Sequence, residues 1–154
     1  MENVIQNNLQ QQINEIGEKT FNSALLDAKD GFFITASAFG ASDLPFFIAR
    51  QPCEVLWVAE SHIVAGSDAG AVTLDIVKLT SGQAVASGTS ILTTTFDMKS
   101  TANTPVQKEG GELANTRQLV NGERLALDFT GTLTDLAGVQ VTLYLKNLAR
   151  GHYK

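Results

Sequence analysis

The sequence predicts an all-β protein: an antiparallel β-sandwich with jelly-roll topology and an N-terminal helical arm. From residue 31 onward, short extended runs alternate with clusters of Gly, Ser, Asp and Asn. About eight such runs can be counted, the number of strands in a jelly roll. Near the C-terminus two runs alternate strictly between apolar and polar side chains, as strands with one buried face do. Helical periodicity is confined to the N-terminus.

The N-terminal arm is predicted over residues 1–30, and the sandwich domain over residues 31–154. In the arm, Ile5, Leu9, Ile13 and Ile16 recur at spacings of four, four and three, which places them on one stripe of a helix. Burying these four side chains would contribute about 6–12 kcal/mol. Ordering the backbone costs about 1–2 kcal/mol for each residue, so the helix needs a surface on which to lie. That surface belongs either to its own domain or, the favoured alternative, to a neighbouring subunit.

The first two strands of the sandwich are predicted over residues 31–39 and 46–49. Each contains a phenylalanine doublet, and adjacent residues of a strand face opposite ways. Each doublet therefore places one ring in the core and one on the outer face, unless a bulge intervenes. An outward ring is either a contact site for a partner or is covered by another part of the same chain. The four interface candidates are Phe32, Phe33, Phe46 and Phe47.

The middle of the chain predicts three further strands. The first, residues 54–63, has Val55, Trp57 and Ala59 on one face, and we expect Trp57 to lie in the core. The others cover residues 72–79, with Val72, Leu74 and Ile76 inside, and residues 90–96. Residues 98–112 are polar and contain proline and glycine, which is typical of a long exposed loop where partners are met.

The strictly alternating runs are residues 124–130 and 139–146. Leu125, Leu127 and Phe129 form the apolar row of the first, and the second repeats the pattern. Asn121-Gly122 precedes the first run, and this dipeptide favours the tight turn of a two-residue hairpin. We therefore expect these two strands to form a hairpin in the back half of the sandwich.

Composition excludes several classes of function. The net charge is −5, with 16 acidic and 11 basic residues and no basic block, which argues against binding to nucleic acid or to an anionic membrane. No apolar run approaches the ~20 residues of a membrane helix, and no secretory signal is present. The single cysteine, Cys53, cannot form an internal disulfide and indicates synthesis in a reducing compartment.

No catalytic or cofactor site is predicted. The only histidines, His62 and His152, are too few for a metal site, and His62 is expected to be an ordinary surface or hydrogen-bonded side chain. Ser61, His62 and Asp68 lack the glycine-flanked turn that exposes a nucleophile. Cys53 is interpreted as a small apolar residue, since no cationic cluster surrounds it. The dispersed carboxylates, which lack the spacing of a calcium loop, are Asp68, Asp75, Asp128 and Asp135.

Residues 121–139, together with residues 72–76 and 87–89, resemble the head decoration, or cement, proteins of tailed bacteriophages. The resemblance covers residues 47–146 and leaves the N-terminal arm outside. It implies a β-sandwich or jelly roll, clustered as a homotrimer on the exterior of the virion. There it would bind the major capsid protein and bridge neighbouring shell subunits, after synthesis in the host cytoplasm. The family supplies no catalytic residues, so the protein is not expected to be an enzyme, and no cofactor is implied.

The alternative function is a glycan- or receptor-binding β-sandwich module of a phage tail or fibre. Such modules bind sugars through exposed aromatic side chains, and the candidates here are Trp57, Tyr144 and Tyr153. The expected burial of Trp57 in the core counts against this alternative.

Overall fold

The computed structural model describes residues 31–40 and 42–148. The predicted arm, with Ile5, Leu9, Ile13 and Ile16, therefore lies outside the described residues. The described part is all-β and contains two antiparallel sheets, which confirms this part of the predicted fold class. Ten strands follow in chain order: β1 Gly31–Gly40, β2 Leu44–Ile48, β3 Cys53–Ser61, β4 Thr73–Leu79, β5 Thr89–Ser90, β6 Phe96–Asp97, β7 Val106–Glu109, β8 Gln118–Leu119, β9 Arg124–Thr130 and β10 Ala137–Asn147.

Each sheet has five strands. Sheet A has the order β1-β10-β3-β7, with β8 also paired to β3, and sheet B has the order β2-β9-β4-β5, with β6 also paired to β4. Successive strands from β1 to β4 thus alternate between the sheets. The order is compatible with a jelly roll. In such an arrangement β5 and β6 together occupy the position of one strand, and β7 and β8 together occupy the position of another.

The core lies between the inner faces of the two sheets. β4 and β9 supply Leu74, Ile76, Leu125 and Leu127, all fully buried, and β10 supplies an alternating row on the opposite side. This agrees with the predicted inward side chains of both segments. The row of β10 comprises Val139, Val141, Leu143 and Leu145, each at most 1% exposed.

The hairpin predicted for the last two strands is wrong. Both strands form where the alternation predicts them, but β9 pairs with β2 and β4 in sheet B, whereas β10 belongs to sheet A. The two apolar rows therefore face each other across the core. The Asn121-Gly122 turn joins β8 to β9. Of these two residues only Gly122 adopts a positive φ, of 89°. The Glu123 amide donates a hydrogen bond to the Val120 carbonyl oxygen at 3.1 Å. Alternation identifies the buried face of a strand but not the sheet that contains it.

A β-bulge in β3 reverses the predicted faces of that strand. Tyr144 pairs with Trp57 and the next residue, Leu145, pairs with Val55, so Leu56 is the extra residue. Val55 points inward as predicted, but beyond the bulge Val58 and Glu60 are the buried residues. The expected position of Trp57 in the core is therefore wrong: Trp57 and Ala59 lie on the outer face of sheet A.

Two further segments differ from their predictions. Residues 90–96 do not form one strand, because the Ser90 hydroxyl accepts a hydrogen bond from the Leu92 amide at 3.0 Å and the chain turns between β5 and β6. Residues 98–112 are not a continuous loop, since β7 lies within them and pairs with β3 from Trp57 to Glu60.

Part of the outer face of sheet B is also covered. Val77, Leu79 and Ala126 are buried there, with Val85 packed against them. The segment that covers them is the short 3-10 helix Val85–Ser87, which is followed by Gly88.

Candidate functional site

Three aromatic rings lie side by side on the outer face of sheet A. Phe33 of β1, Tyr144 of β10 and Trp57 of β3 form this aromatic row. The ring centroids of Phe33 and Tyr144 are 4.8 Å apart, and those of Phe33 and Trp57 are 6.3 Å apart in an edge-to-face arrangement. Both separations lie in the range of favourable aromatic pairs. The row exists because the bulge at Leu56 brings Trp57 opposite Tyr144.

An open groove of about 320 Å³ runs beside the aromatic row. It lies over the next rows of sheet A, where Ala59 is opposite both Thr142 and Gln107, and where Ser61 is opposite Gln140. Small side chains in the middle and larger ones around them leave this space. The lining residues are Trp57, Ala59, Glu60, Ser61, Pro105, Gln107, Gln140 and Thr142.

The groove is neutral and rich in hydrogen-bonding groups. The Trp57 indole Nε1–H donates to Gln107 Oε1 at 3.4 Å, and the hydroxyls of Thr35 and Thr142 lie 3.2 Å apart. Glu60 is the one ionisable residue that lines it, and its side chain is fully buried. The groove therefore presents amides, hydroxyls and one indole ring, and no charge.

A second surface, the apolar end, lies at one end of the sandwich. It consists of Ile48, Val120 and Leu148, whose exposed fractions are 62%, 59% and 41%. Cys53 pairs with both Leu119 and Asn147, so Val120 and Leu148 each follow a partner of Cys53. Ala49 follows Ile48 and ties it to the β8–β9 turn. The Ala49 amide donates to the Glu123 carbonyl oxygen, and the Gly122 amide donates to the Ala49 carbonyl oxygen, both at 2.8 Å.

β1 lies beside β10 at the edge of sheet A. Phe33 contacts Tyr144, while Thr35 contacts Thr142, so β1 and β10 run in opposite directions. Along β10, Tyr144 lies nearer than Thr142 to the apolar end, where Leu148 follows the strand. At the opposite end, Ile63 and Val64 are also exposed.

The phenylalanine doublets behave differently from each other. Phe33 is 67% exposed on the outer face and Phe32 is half-buried, as the alternation of β1 predicts. In β2, Pro45 pairs with Ala126 and Phe47 with Leu125, so Phe46 is an extra residue in a bulge. Phe46 and Phe47 are both half-buried, and the expected division into one inward and one outward ring does not hold for them. The role of all four as interface residues stays a prediction.

A buried pair of ionisable side chains lies inside the end of β3. His62 Nδ1 is 2.8 Å from Glu60 Oε1, its Nε2 is 3.1 Å from the carbonyl oxygen of Ser100, and both side chains are fully buried. Burial raises the pKa of Glu60, and the hydrogen bond from His62 opposes this in part. His62 is thus hydrogen-bonded but is not at the surface, and it is bonded to neither Ser61 nor Asp68. Sealed from solvent, the pair is a structural element and not an acid–base site.

The outer face of sheet B contains opposed carboxylates. Asp75 and Asp128 are directly paired across β4 and β9. Burial raises the pKa of Asp128, and Asp43 and Asp75 raise it further. Burial also raises the pKa of Asp75, which accepts a hydrogen bond from the Ser90 hydroxyl at 2.7 Å. Within the described ranges, no group of three or more His, Cys, Asp or Glu side chains is arranged to hold a metal ion.

Cys53 is a buried core residue. Burial, with a contribution from Glu123, raises the pKa of its thiol to about 11. The thiolate that a nucleophile or a metal ligand requires is therefore disfavoured, in agreement with the apolar role predicted from the sequence.

Sequence reasoning identified only one side of the groove. The alternation of β10 places Gln140, Thr142 and Tyr144 outward. On the other side, the sequence offers Trp57 as a candidate aromatic side chain but places it in the core, because a one-residue bulge leaves no signal in apolar periodicity. Gln107 is not found, because residues 98–112 are predicted to be a loop.

No protein-family model matches the chain, and no curated protein matches it in sequence. One similar solved structure is described as "Bacillus endospore appendages form a novel family of disulfide-linked pili", with 15% identity and a TM-score of 0.32 over 78% of this chain and 87% of that one. Another is the Tobacco streak virus coat protein, with 11% identity and a TM-score of 0.32 over 81% of this chain and 92% of that one. At these scores neither likeness carries an argument. Among the described residues, no helix is long and apolar enough to cross a membrane.

Proposed function

We propose that the protein is a non-enzymatic structural protein of a phage virion, a jelly-roll decoration protein that binds the exterior of the capsid. The major capsid protein is its partner, and a homotrimer of the chain bridges neighbouring shell subunits. The observation that supports this proposal is the apolar end, where Ile48, Val120 and Leu148 expose large apolar side chains. The strand order of the two sheets is compatible with the jelly roll and supports this part of the proposal.

The apolar end supplies a contact surface for the shell. Ile48, Val120 and Leu148 expose large apolar side chains. Side chains of this kind gain about 25 cal/mol for each Å² removed from water. They come from three separate parts of the chain, so their placement at one end is a property of the fold.

The N-terminal segment supplies a second contact. Its apolar stripe, formed by Ile5, Leu9, Ile13 and Ile16, needs a surface on which to order. This stripe contacts the shell in addition to the apolar end. Linking two weak contacts, and repeating them in a trimer, raises the overall affinity by orders of magnitude without a strong single site.

Co-sedimentation with empty shells of the major capsid protein tests the proposal. We expect deletion of residues 1–20 to abolish binding, and the pair Ile48→Asp with Val120→Asp to weaken it at least about tenfold. Ile63→Asp, at the opposite end of the sandwich, is the matched control and should bind as the wild type does. Full occupancy of the shells by both variants would contradict the proposal.

The oligomeric state and the bridging role have separate tests. Sedimentation equilibrium should give the mass of a trimer, and saturating the shells should raise their thermal disruption temperature. A monomer at all concentrations contradicts the homotrimer, and shells of unchanged thermal stability contradict bridging.

A further inference from the structure

We propose that the groove beside the aromatic row binds neutral carbohydrate, with a pyranose ring stacked on Trp57 and its hydroxyls bonded to Gln107, Gln140 and Thr142. This activity is separate from shell attachment, because it uses the outer face of sheet A and not the apolar end. It gives the exterior of the particle a means of weak adhesion to glycan-bearing surfaces.

The aromatic row provides the stacking surface. A pyranose ring has one face of C–H groups, and the face of an aromatic ring attracts such positively polarised hydrogens. Trp57 is the part of the row that lines the groove. Its indole is held from two sides, by the edge-to-face contact with Phe33 and by the hydrogen bond to Gln107 at 3.4 Å. A ring fixed before the ligand arrives loses little entropy on binding.

The polar side chains provide the hydrogen bonds. An amide side chain both donates and accepts, and so does a hydroxyl, which matches the dual character of sugar hydroxyls. The side-chain oxygen of Gln107 accepts the hydrogen bond from Trp57. No described residue accepts a hydrogen bond from the Gln107 NH₂ group, so this group can donate to a sugar hydroxyl. Gln140 and Ser61 face each other across the neighbouring pair of strands. The groove thus has an apolar platform at one side and polar groups around it, the usual composition of a small-molecule site.

Charge selects a neutral sugar. The groove holds no exposed ionisable side chain, and the nearest one along the row is acidic, since Glu109 is paired with Trp57 across β3 and β7. A sialic acid carboxylate would find no cation there and would be repelled by Glu109. The lack of an exposed ionisable side chain among the described residues that line this groove, with Glu109 beside it, therefore favours hexoses and N-acetylhexosamines.

The size and openness of the groove predict weak binding. Its volume of about 320 Å³ lies at the lower end of the range for small-molecule sites. One stacked ring and a few solvent-exposed hydrogen bonds correspond to a dissociation constant on the order of 1 mM. Many copies on one particle would convert this into useful adhesion.

The protein contains a single tryptophan, so its indole N–H resonance reports on the groove without ambiguity. The probes are the methyl glycosides of glucose, galactose, mannose and N-acetylglucosamine, titrated into the isotopically labelled full chain. At least one should shift the Trp57 indole resonance saturably, and should receive saturation transfer on its ring C–H protons. No shift with any of the four, at roughly fifty times the expected dissociation constant, overturns the proposal.

Variants separate this site from other uses of the surface. Trp57→Ala should weaken saturation transfer about tenfold, and Gln140→Ala about two- to tenfold. Lys146→Ala is the matched control, because it lies on the outer face of the same strand as Gln140 but beyond the aromatic row, and it should bind normally. Undiminished binding by both groove variants overturns the assignment, and tighter binding of a sialic acid methyl glycoside overturns the choice of neutral sugars. An indole resonance that shifts with protein concentration alone overturns the proposal in favour of contact between copies. Shell binding by Trp57→Ala should stay unchanged, so the two functions can fail independently.

Discussion

Replacing Gly88 with alanine should destabilise the sandwich by roughly 0.5–2.5 kcal/mol. Gly88 follows the 3-10 helix that covers the outer face of sheet B, and an added Cβ would lie 2.6 Å from Val77 Cβ and 2.8 Å from Leu79 Cδ2. Both neighbours are buried, at 2% and 0% exposed, so neither can move aside cheaply. Overpacking of this kind costs about 1–3 kcal/mol.

The backbone of Gly88 opposes part of this cost. Its φ of −64° and ψ of 162° are ordinary for alanine, so the substitution also removes freedom from the unfolded chain, which stabilises by about 0.4–1 kcal/mol. Gly111→Ala is the matched control, because a Cβ there meets nothing within 4 Å and its φ is not positive. The control should gain the same 0.4–1 kcal/mol without the clash.

Equilibrium unfolding in urea, followed by Trp57 fluorescence, measures both variants. At equal slope, a lower midpoint for Gly88→Ala and a higher one for Gly111→Ala are expected. Adding Val77→Ala to Gly88→Ala should give a favourable coupling of at least about 0.5 kcal/mol, because it removes Val77 Cγ2, which also lies 2.6 Å from the added Cβ, although the contact with Val77 Cβ stays. If Gly88→Ala proves as stable as Gly111→Ala, the packing of this segment on sheet B is not as described.

Three other predictions concern ionisable groups. Because burial raises the pKa of Glu60 above its ordinary 4.5, the folded protein holds this proton more tightly than the unfolded chain, and stability is lost as pH rises from about 4.5 through the raised value. Glu60→Gln should lack this loss in urea midpoints measured between pH 4 and pH 8, and parallel pH profiles would refute the role assigned to burial. Asp128→Asn should raise the unfolding free energy by about 0.2–1 kcal/mol at neutral pH and low salt, because it removes the repulsion with Asp75. This gain should shrink as pH falls toward the ordinary Asp pKa of 3.8, and a gain independent of pH would argue against repulsion. Cys53, with a pKa raised to about 11, should resist iodoacetamide at pH 8 when folded and react when unfolded; equal rates would show that the thiol is accessible.

The elements that the sequence predicted well are those whose signal is local. The alternation of residues 124–130 and 139–146 reflects the burial of one face, and both strands form there. Pairing is not local, and the same alternation suits a hairpin or two facing sheets. The assignment of β9 and β10 to different sheets therefore could not be obtained from their own residues.

The candidate site depended on two features without a sequence signal. A bulge of one residue at Leu56 changes the face of every later residue in β3, and nothing in its composition marks it. The groove also joins side chains from β3, β7 and β10, which come together only through long-range pairing. Gln140 and Thr142 could be placed outward in advance, but their neighbours Trp57 and Gln107 could not.

The bulge at Leu56 also bears on how such a surface can persist during evolution. Val55 already pairs with Leu145, and Trp57 already pairs with Tyr144, so Leu56 is the residue without a partner in this ladder. Loss of the Leu56 codon would therefore make the pairing of β3 with β10 regular and would leave Trp57 and Ala59 on the outer face. A lineage can gain or lose one residue at this point and keep the aromatic row, whereas the same change of length elsewhere in β3 would shift its register.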